Sequence, residues 1–367
     1  MDLIYLSNSI LYSKKANSIQ VTNMCHEFAN TFDSVTLYAY SDIPNLESVY
    51  SYYGLEKNFK IKRYLLPKGR LNRILNAVIL IISIFVKKKD IVVYGRDTIM
   101  VFLCSLLGVK NVYELHSFSS IKYHYFEKFI FNSPYTLLTV SISNSLKDKY
   151  LSTFSFRNSI EVFHDSATET PIKAEDKTLD ALDPNQFNIG YIGHLYQGRG
   201  IELIIDIAKK LNNFKFHIIG GEESDVKRYK LISPKNMIYH GFVSPSKTHL
   251  YRHFSDILLM PYQEGLGNPG TLADTSMWMS PMKLFEYMSS KTPIISTDLP
   301  VLREVLNEKN SILLPYNSKD WIISINKLYD DPKLAKKLAL NAYNDFISNY
   351  TWEKRANKIS EIIYRRI

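Results

Sequence analysis

GYIGHLYQGRGIELI, Gly190 to Ile204, sets an apolar β-type segment against a glycine-rich loop and then against the start of an amphipathic helix. A hydrophobic pattern that switches from period two to period 3.6 across a few glycines reads as strand, tight turn and helix. Gly193, Gly198 and Gly200 let the backbone approach a neighbour closely in that turn. His194 and Arg199 project from the same loop. Arg199 is suited to a diphosphate, because its guanidinium can make paired N–H···O contacts that lysine cannot. The glycine spacing is neither G-x-G-x-x-G nor a Walker A loop, so the usual dinucleotide and ATP fingerprints are missing.

The same alternation extends in both directions. Strand-like runs lie at 3–6, 34–40, 61–66, 90–95, 111–115, 137–142 and 160–163, with helical patterns at 18–31, 70–87, 98–107 and 143–155. After a polar, acidic stretch at 165–186 the alternation resumes at 187–193, 216–221, 237–243, 256–262, 293–297 and 311–316, with a helix at 200–211. Strand, helix, strand in repetition predicts parallel sheets covered by helices on both faces. The expected α/β organisation is a Rossmann-like domain at 1–170, a second at 187–348 and a terminal helix at 349–367 crossing back to the first. Two such units would face a cleft, and ligands of open α/β sheets sit beyond the carboxyl ends of the strands.

Composition excludes several classes. A chain of 367 residues with 46% apolar and 22% charged residues is ordinary globular sequence, not disorder. Cys25 and Cys104, the only cysteines, sit in apolar contexts and suit buried positions in a reducing compartment. No window has the 18 or more apolar residues of a spanning helix, and the N-terminus reads as a strand, not a signal peptide. Between Lys57 and Lys89 there are ten Lys/Arg and no Asp or Glu, more than the whole chain's net +9. They flank the apolar run 74–86, which suits either a helix lying on an anionic membrane surface or a buried helix with a basic end. Charge confined to one apolar-flanked segment argues against nucleic acid. The expected location is the cytoplasm, peripheral on the inner membrane face.

MSPMKLFEYM, 279–288, holds a second candidate constellation. Ser280 as N-cap and Pro281 as first helical residue would open a helix whose free amides at Met282 and Lys283 make an anion site. Lys283 adds a charge, Glu286 lies on the same face, and Leu284, Phe285 and Met288 turn to the core. An exposed Lys–Glu pair worth roughly 0.2–0.5 kcal/mol is the competing structural reading.

With FHIIGG, HGFV, DILLMPY and SPMKLFEYMSSKTPIISTDLPVLREVL following in order, the chain resembles the C-terminal domain of family-4 glycosyltransferases of GT-B fold. The similarity is to a bacterial envelope-polysaccharide subgroup with an SPxKxFEYM segment, and it continues more weakly through YGRD (94–97), YELHS (113–117) and TWEKRANKI. The resemblance implies that Glu286 holds the donor ribose and that Arg199 and His194 take the phosphate-binding positions. It also places Phe242 and Val243 by the nucleobase and His116 near the transferred sugar; Gly193, from the loop, and Met282, from the helix start, are further candidate substrate contacts on their own residue pattern. It implies a retaining, metal-independent transfer from a nucleotide diphosphate sugar to a saccharide or lipid-linked saccharide acceptor in envelope polysaccharide synthesis.

Two departures stand out. The first motif glutamate is replaced by Trp278, which leaves Asp274, Thr275 or backbone to meet the sugar, and His194 stands in place of arginine. A nucleotide-sugar 2-epimerase and a non-catalytic nucleotide-sugar-binding partner subunit are therefore alternatives. His116, just past a strand end, could bind a sugar hydroxyl. Arg96 and Asp97 could touch the acceptor or form a structural ion pair. His249 and His253 have i,i+4 spacing without an H-E-x-x-H partner, and no Asp-x-Asp occurs, so no metal is expected.

Overall fold

The computed structural model describes residues 1–13, 15–87, 90–170, 172, 183, 185–265 and 276–367. Its contacts divide the chain into Met1–Asp165 with Trp352–Ile367, and Ser166–Thr351.

In the first unit the strands are β1 (Asp2–Ile10), β2 (Ser34–Tyr40), β3 (Lys60–Arg63), β4 (Ile91–Gly95), β5 (Asn111–Leu115), β6 (Thr136–Ser141) and β7 (Ile160–Val162). Among the described residues they form one sheet in the order β3-β2-β1-β4-β5-β6-β7, parallel throughout. Helices α1 (Ala16–Phe28), α2 (Ser48–Tyr53), α3 (Arg70–Lys87), α4 (Thr98–Leu106), α5 (His124–Asn132) and α6 (Asn144–Leu151) make the crossovers. Strands β4, β5 and β6 are buried at every residue, as expected where helices cover both faces of a parallel sheet.

The second unit repeats the plan with β8 (Asn188–Ile192), β9 (Lys215–Ile219), β10 (Met237–Gly241), β11 (Ile257–Met260), β12 (Ile294–Thr297) and β13 (Ile312–Leu314). Their order is β10-β9-β8-β11-β12-β13, again parallel. Helices α7 (Ile201–Lys210), α8 (Glu223–Lys230), α9 (Pro245–His253), α10 (Met282–Met288), α11 (Ser318–Asp330) and α12 (Pro332–Asn349) complete it. Strand order reverses at β8, which pairs with both β9 and β11, so the carboxyl end of β8 is the topological switch point where such sheets bind ligands.

Helix α13 (Trp352–Arg365) belongs to the first unit and packs on α1. Its buried stripe is Trp352, Ala356, Ile359 and Ile363, each contributing about 1.5–3 kcal/mol as a large apolar side chain leaves water, Ala356 less. Arg355, 2% exposed, is the charged member of the buried side. Its guanidinium donates to Glu114 at 2.6 Å, to the His164 carbonyl at 2.9 Å and to the Phe163 carbonyl at 3.3 Å.

Two local readings differ from the sequence expectation. Strand β1 runs to Ile10, beyond the apolar run 3–6, because Ser7 and Ser9 are buried and satisfy each other through a 2.7 Å hydroxyl contact. Helix α10 begins at Met282 with Pro281 at the N-cap in extended geometry, one residue later than expected, so Ser280 lies before the cap. Cys25 and Cys104 are fully buried, and burial pushes the Cys104 thiol up to about 12.

Replacing Arg355 by Leu strands the Glu114 carboxylate in the core. The expected loss is about 3–5 kcal/mol of stability in urea unfolding, part of it recovered by adding Glu114→Gln. An unchanged midpoint in the single variant would contradict this.

Candidate functional site

In the second unit the carboxyl ends of β8, β9 and β10 meet almost without side chains. Gly193 N donates to the Ile219 carbonyl at 2.8 Å, and Gly220 N donates to the Gly241 carbonyl at 2.7 Å. A Cβ on Gly220 would lie 2.4 Å from the Gly193 carbonyl oxygen, so only glycine fits. A Cβ on Gly193 would lie 2.5 Å from Nζ of Lys283. That approach seats the lysine directly on the strand-end loop.

Lys283, in the first turn of α10, is therefore brought to Arg199, which comes from the loop before α7. Aromatic rings hold the two cations. Lys283 Nζ sits 3.9 Å from the centroid of Tyr191 and 5.4 Å from that of Tyr262. The Arg199 guanidinium lies 5.0 Å from Tyr262 and 4.7 Å from Tyr196, whose hydroxyl it also meets. Ring quadrupoles compensate part of the charge where water is scarce, each contact worth on the order of 0.5–2 kcal/mol. Desolvation first, and the Arg199 charge second, hold the Lys283 ammonium well below the ordinary lysine range, against the opposing pull of Glu286.

Glu286 stands one turn along α10 with Leu284, Phe285 and Met288 buried beneath it. Its partner is Arg252 of α9, 5% exposed, with Nη1 3.5 Å from Oε2. Among the described residues no carboxylate lies within ion-pair distance of Lys283. This corner therefore presents two crowded cations at the start of α10 and a carboxylate paired with a third, Arg252.

His194 follows Gly193, its ring stacked on Tyr196 at 5.4 Å. Its surroundings desolvate the ring and Arg199 and Lys283 repel a proton, so its pKa is lowered and the neutral form is favoured. Phe242 is 48% exposed just after β10, and Val243 packs on the adjoining apolar cluster. Asp274 and Thr275 lie outside the described residues. The Gly265 amide donates to Ser276 Oγ at 3.2 Å, joining the described ends of that segment beside Trp278.

The first unit holds His116 just past β5. Its Nε2 lies 2.9 Å from Glu114 Oε1. An ionised carboxylate only accepts, so the imidazole donates from Nε2 and leaves Nδ1 as the available acceptor. Desolvation and the nearby Arg96 lower the His116 pKa, offset in part by Glu114. Desolvation would raise Glu114, yet Arg355 and His116 hold it well below the usual carboxylate range. Arg96 donates to Gln20 at 2.7 Å. Asp97 is structural: buried, it caps α4 by accepting from Met100 N at 3.0 Å and pairs with Arg73 at 3.0 Å.

Glu114, His116 and Asp165 bring ligand-type atoms within 4.8 Å of one another, whereas His249 and His253 join no such group among the described residues. The trio fits a cation poorly. Glu114 Oε1 already accepts from Arg355, Gln20 and His116, and two guanidinium charges stand beside it.

Sequence reasoning singled out Gly193, Arg199, Lys283 and Glu286, which the structure brings to one end of the second sheet, and did not single out Tyr191, Tyr262, Gly220 or Arg252 beside them. Tyrosines inside apolar strands look like core, and only the sheet order shows that Tyr191 and Tyr262 flank one point.

Residues 186–331 match the family described as glycosyl transferases group 1. An uncharacterised glycosyltransferase of Methanocaldococcus jannaschii is 26% identical over 240 residues, 62% of this chain and 58% of that protein. The processive diacylglycerol alpha-glucosyltransferase of Acholeplasma laidlawii is 24% identical over 268 residues, 67% of this chain and 71% of its own. The chain thus spans less than two thirds of the first of these relatives. Among solved structures, Anabaena HepE in complex with UDP aligns with a TM-score of 0.75 over 100% of both chains at 13% identity. The fold is accordingly the two-domain α/β fold shared with GT-B glycosyltransferases, and residues 186–331 are similar to the group 1 family.

The histidine makes a direct prediction. Two-dimensional ¹⁵N NMR should show His116 neutral at pH 6.5 with its proton on Nε2. A doubly protonated ring at that pH would contradict the assigned contacts.

Proposed function

We propose that this chain is a retaining glycosyltransferase. It moves a hexose-type sugar from a nucleotide diphosphate sugar to a saccharide, or lipid-linked saccharide, in envelope glycan or glycolipid synthesis. The observation that carries the reading is the Arg199–Lys283 pair at the switch point of β8, with the α10 amides beside it. Such a cradle stabilises charge that grows on the departing nucleotide diphosphate, where the transition state needs it most. Glu286, presented by Arg252, would take the ribose hydroxyls, and Phe242 with Val243 would flank the base. Neutral His116, with Nδ1 free to accept, would take a sugar hydroxyl. With a diphosphate in place, Arg199, the protonated Lys283 and a helix start stand where a bridging metal would, so the reaction as proposed needs no divalent ion.

Support from likeness is consistent with this. The Anabaena neighbour is described with UDP, and the Acholeplasma relative is named for an α-linked glucosyl product on a lipid. Tyrosine-held cations beside a glycine platform bind a diphosphate by charge and backbone alone, without the fingerprint loops that the sequence lacks.

Calorimetry with UDP tests the site. Arg199→Ala and Lys283→Ala should each weaken binding at least tenfold, a loss of about 1.4 kcal/mol or more, while the empty protein keeps a cooperative thermal unfolding transition. Near-equal UDP affinity in both variants would overturn the cradle.

A further inference from the structure

Helix α3 is apolar on two opposite sides. Asn76, Ala77, Leu80, Ile81 and Ile84 face the sheet, where the apolar members join the cluster around Ile4, Leu6, Val93 and Met100. The Asn76 amide closes the preceding turn, accepting from Leu66 N and donating to Leu66 O, both at 3.0 Å. This settles which side of the helix is core. At about 100° per residue, Leu71, Ile74, Leu75, Ile82 and Phe85 fall together on the other side. They are 68%, 41%, 42%, 57% and 55% exposed, and no charged residue interrupts them between Arg73 and Lys87. A surface helix of a globular domain normally carries its charges there.

The surroundings say what covers this side. Lys60, Lys62 and Lys68, on the strand and loop leading into α3, are exposed. Arg73 contacts Tyr123, which brings the 3₁₀ turn Ile121–Tyr123 to the start of α3. That corner exposes Ile121 at 83% and Tyr125 at 75%, again beside exposed lysines, Lys122 and Lys128. The acids on these elements are withdrawn: Glu127 is buried and accepts from Tyr113 and Tyr150, and Asp97 is paired to Arg73. Apolar side chains flanked by exposed lysines, with the exposed Asp90 after α3 paired to Lys110 at 3.6 Å, are complementary to a bilayer that offers acyl chains below anionic headgroups. No described helix is long and apolar enough to cross a membrane. The side chain of Lys87, and Lys88 and Lys89 altogether, lie outside the described residues.

We infer that the outward side of α3, with the Ile121–Tyr125 corner, is a docking face for an anionic lipid surface. The helix lies in the plane of the headgroups, with Leu71, Leu75, Ile82 and Phe85 among the acyl chains. This inference does not rest on the donor site and stands if that reading fails.

Cosedimentation of the full chain with vesicles tests it. The parent should bind phosphatidylcholine vesicles containing phosphatidylglycerol, more weakly as salt rises, and bind pure phosphatidylcholine far less. Ile82→Glu with Phe85→Glu should lower partitioning by on the order of tenfold or more. Both positions are exposed, so thermal unfolding should hold, and UDP calorimetry on the same preparation reports separately on the donor site. Lys62→Glu with Lys68→Glu should abolish the preference for phosphatidylglycerol. Unchanged partitioning of the apolar variant would overturn the inference. So would a parent that ignores vesicles and instead self-associates through this side, seen as a dimer that the apolar variant loses.

Discussion

The approach of the Lys283 ammonium to Gly193 is the contact on which the candidate site of the second unit depends. A side chain at Gly193 would displace the ammonium, and the same residue hydrogen-bonds the end of β9 through its amide. Strand order, the glycine-only junction of β8 and β9, and the start of α10 thus converge on one place. The consequence is two cations close enough to repel, held by tyrosine rings instead of carboxylates. Their mutual repulsion is relieved when an anion arrives, which is the electrostatic definition of a prepared site.

The first unit solves a different problem with buried charge. Glu114 and Arg355 are 241 residues apart in sequence yet 2.6 Å apart in space, both almost without solvent. The pair ties the last helix to the ends of β5 and β7, and the same carboxylate fixes the proton on His116. Stability and the orientation of a candidate sugar-binding imidazole therefore depend on one carboxylate.

Much of this was legible in the sequence because parallel, doubly covered strands read as short continuous apolar runs between helical periods. The ranges 34–40, 111–115 and 70–87 coincide with β2, β5 and α3. The end of β1 was hidden because Ser7 and Ser9 satisfy each other inside the sheet. Long-range partners were hidden for a plainer reason: nothing local in Arg355 announces Glu114, and nothing in Arg252 announces Glu286. Helix α3 shows the limit of periodicity. A run apolar on all sides does not say which side is core, and only the sheet beneath it shows which half is buried and which half is exposed.

The crowding of Lys283 links the site to pH. With its pKa depressed in the fold, the unfolded chain binds more protons between that value and the ordinary lysine value of about 10.4, so the empty protein gains stability as pH rises through this window. Ligand binding must show the opposite sign, because a diphosphate favours the charged ammonium and draws a proton in. Calorimetry of UDP binding in buffers of different ionisation enthalpy measures that proton directly. The account predicts net proton uptake at alkaline pH below the ordinary lysine value, with affinity falling as pH rises there, and its disappearance in Lys283→Met. Binding of UDP with no proton uptake across that range would contradict it.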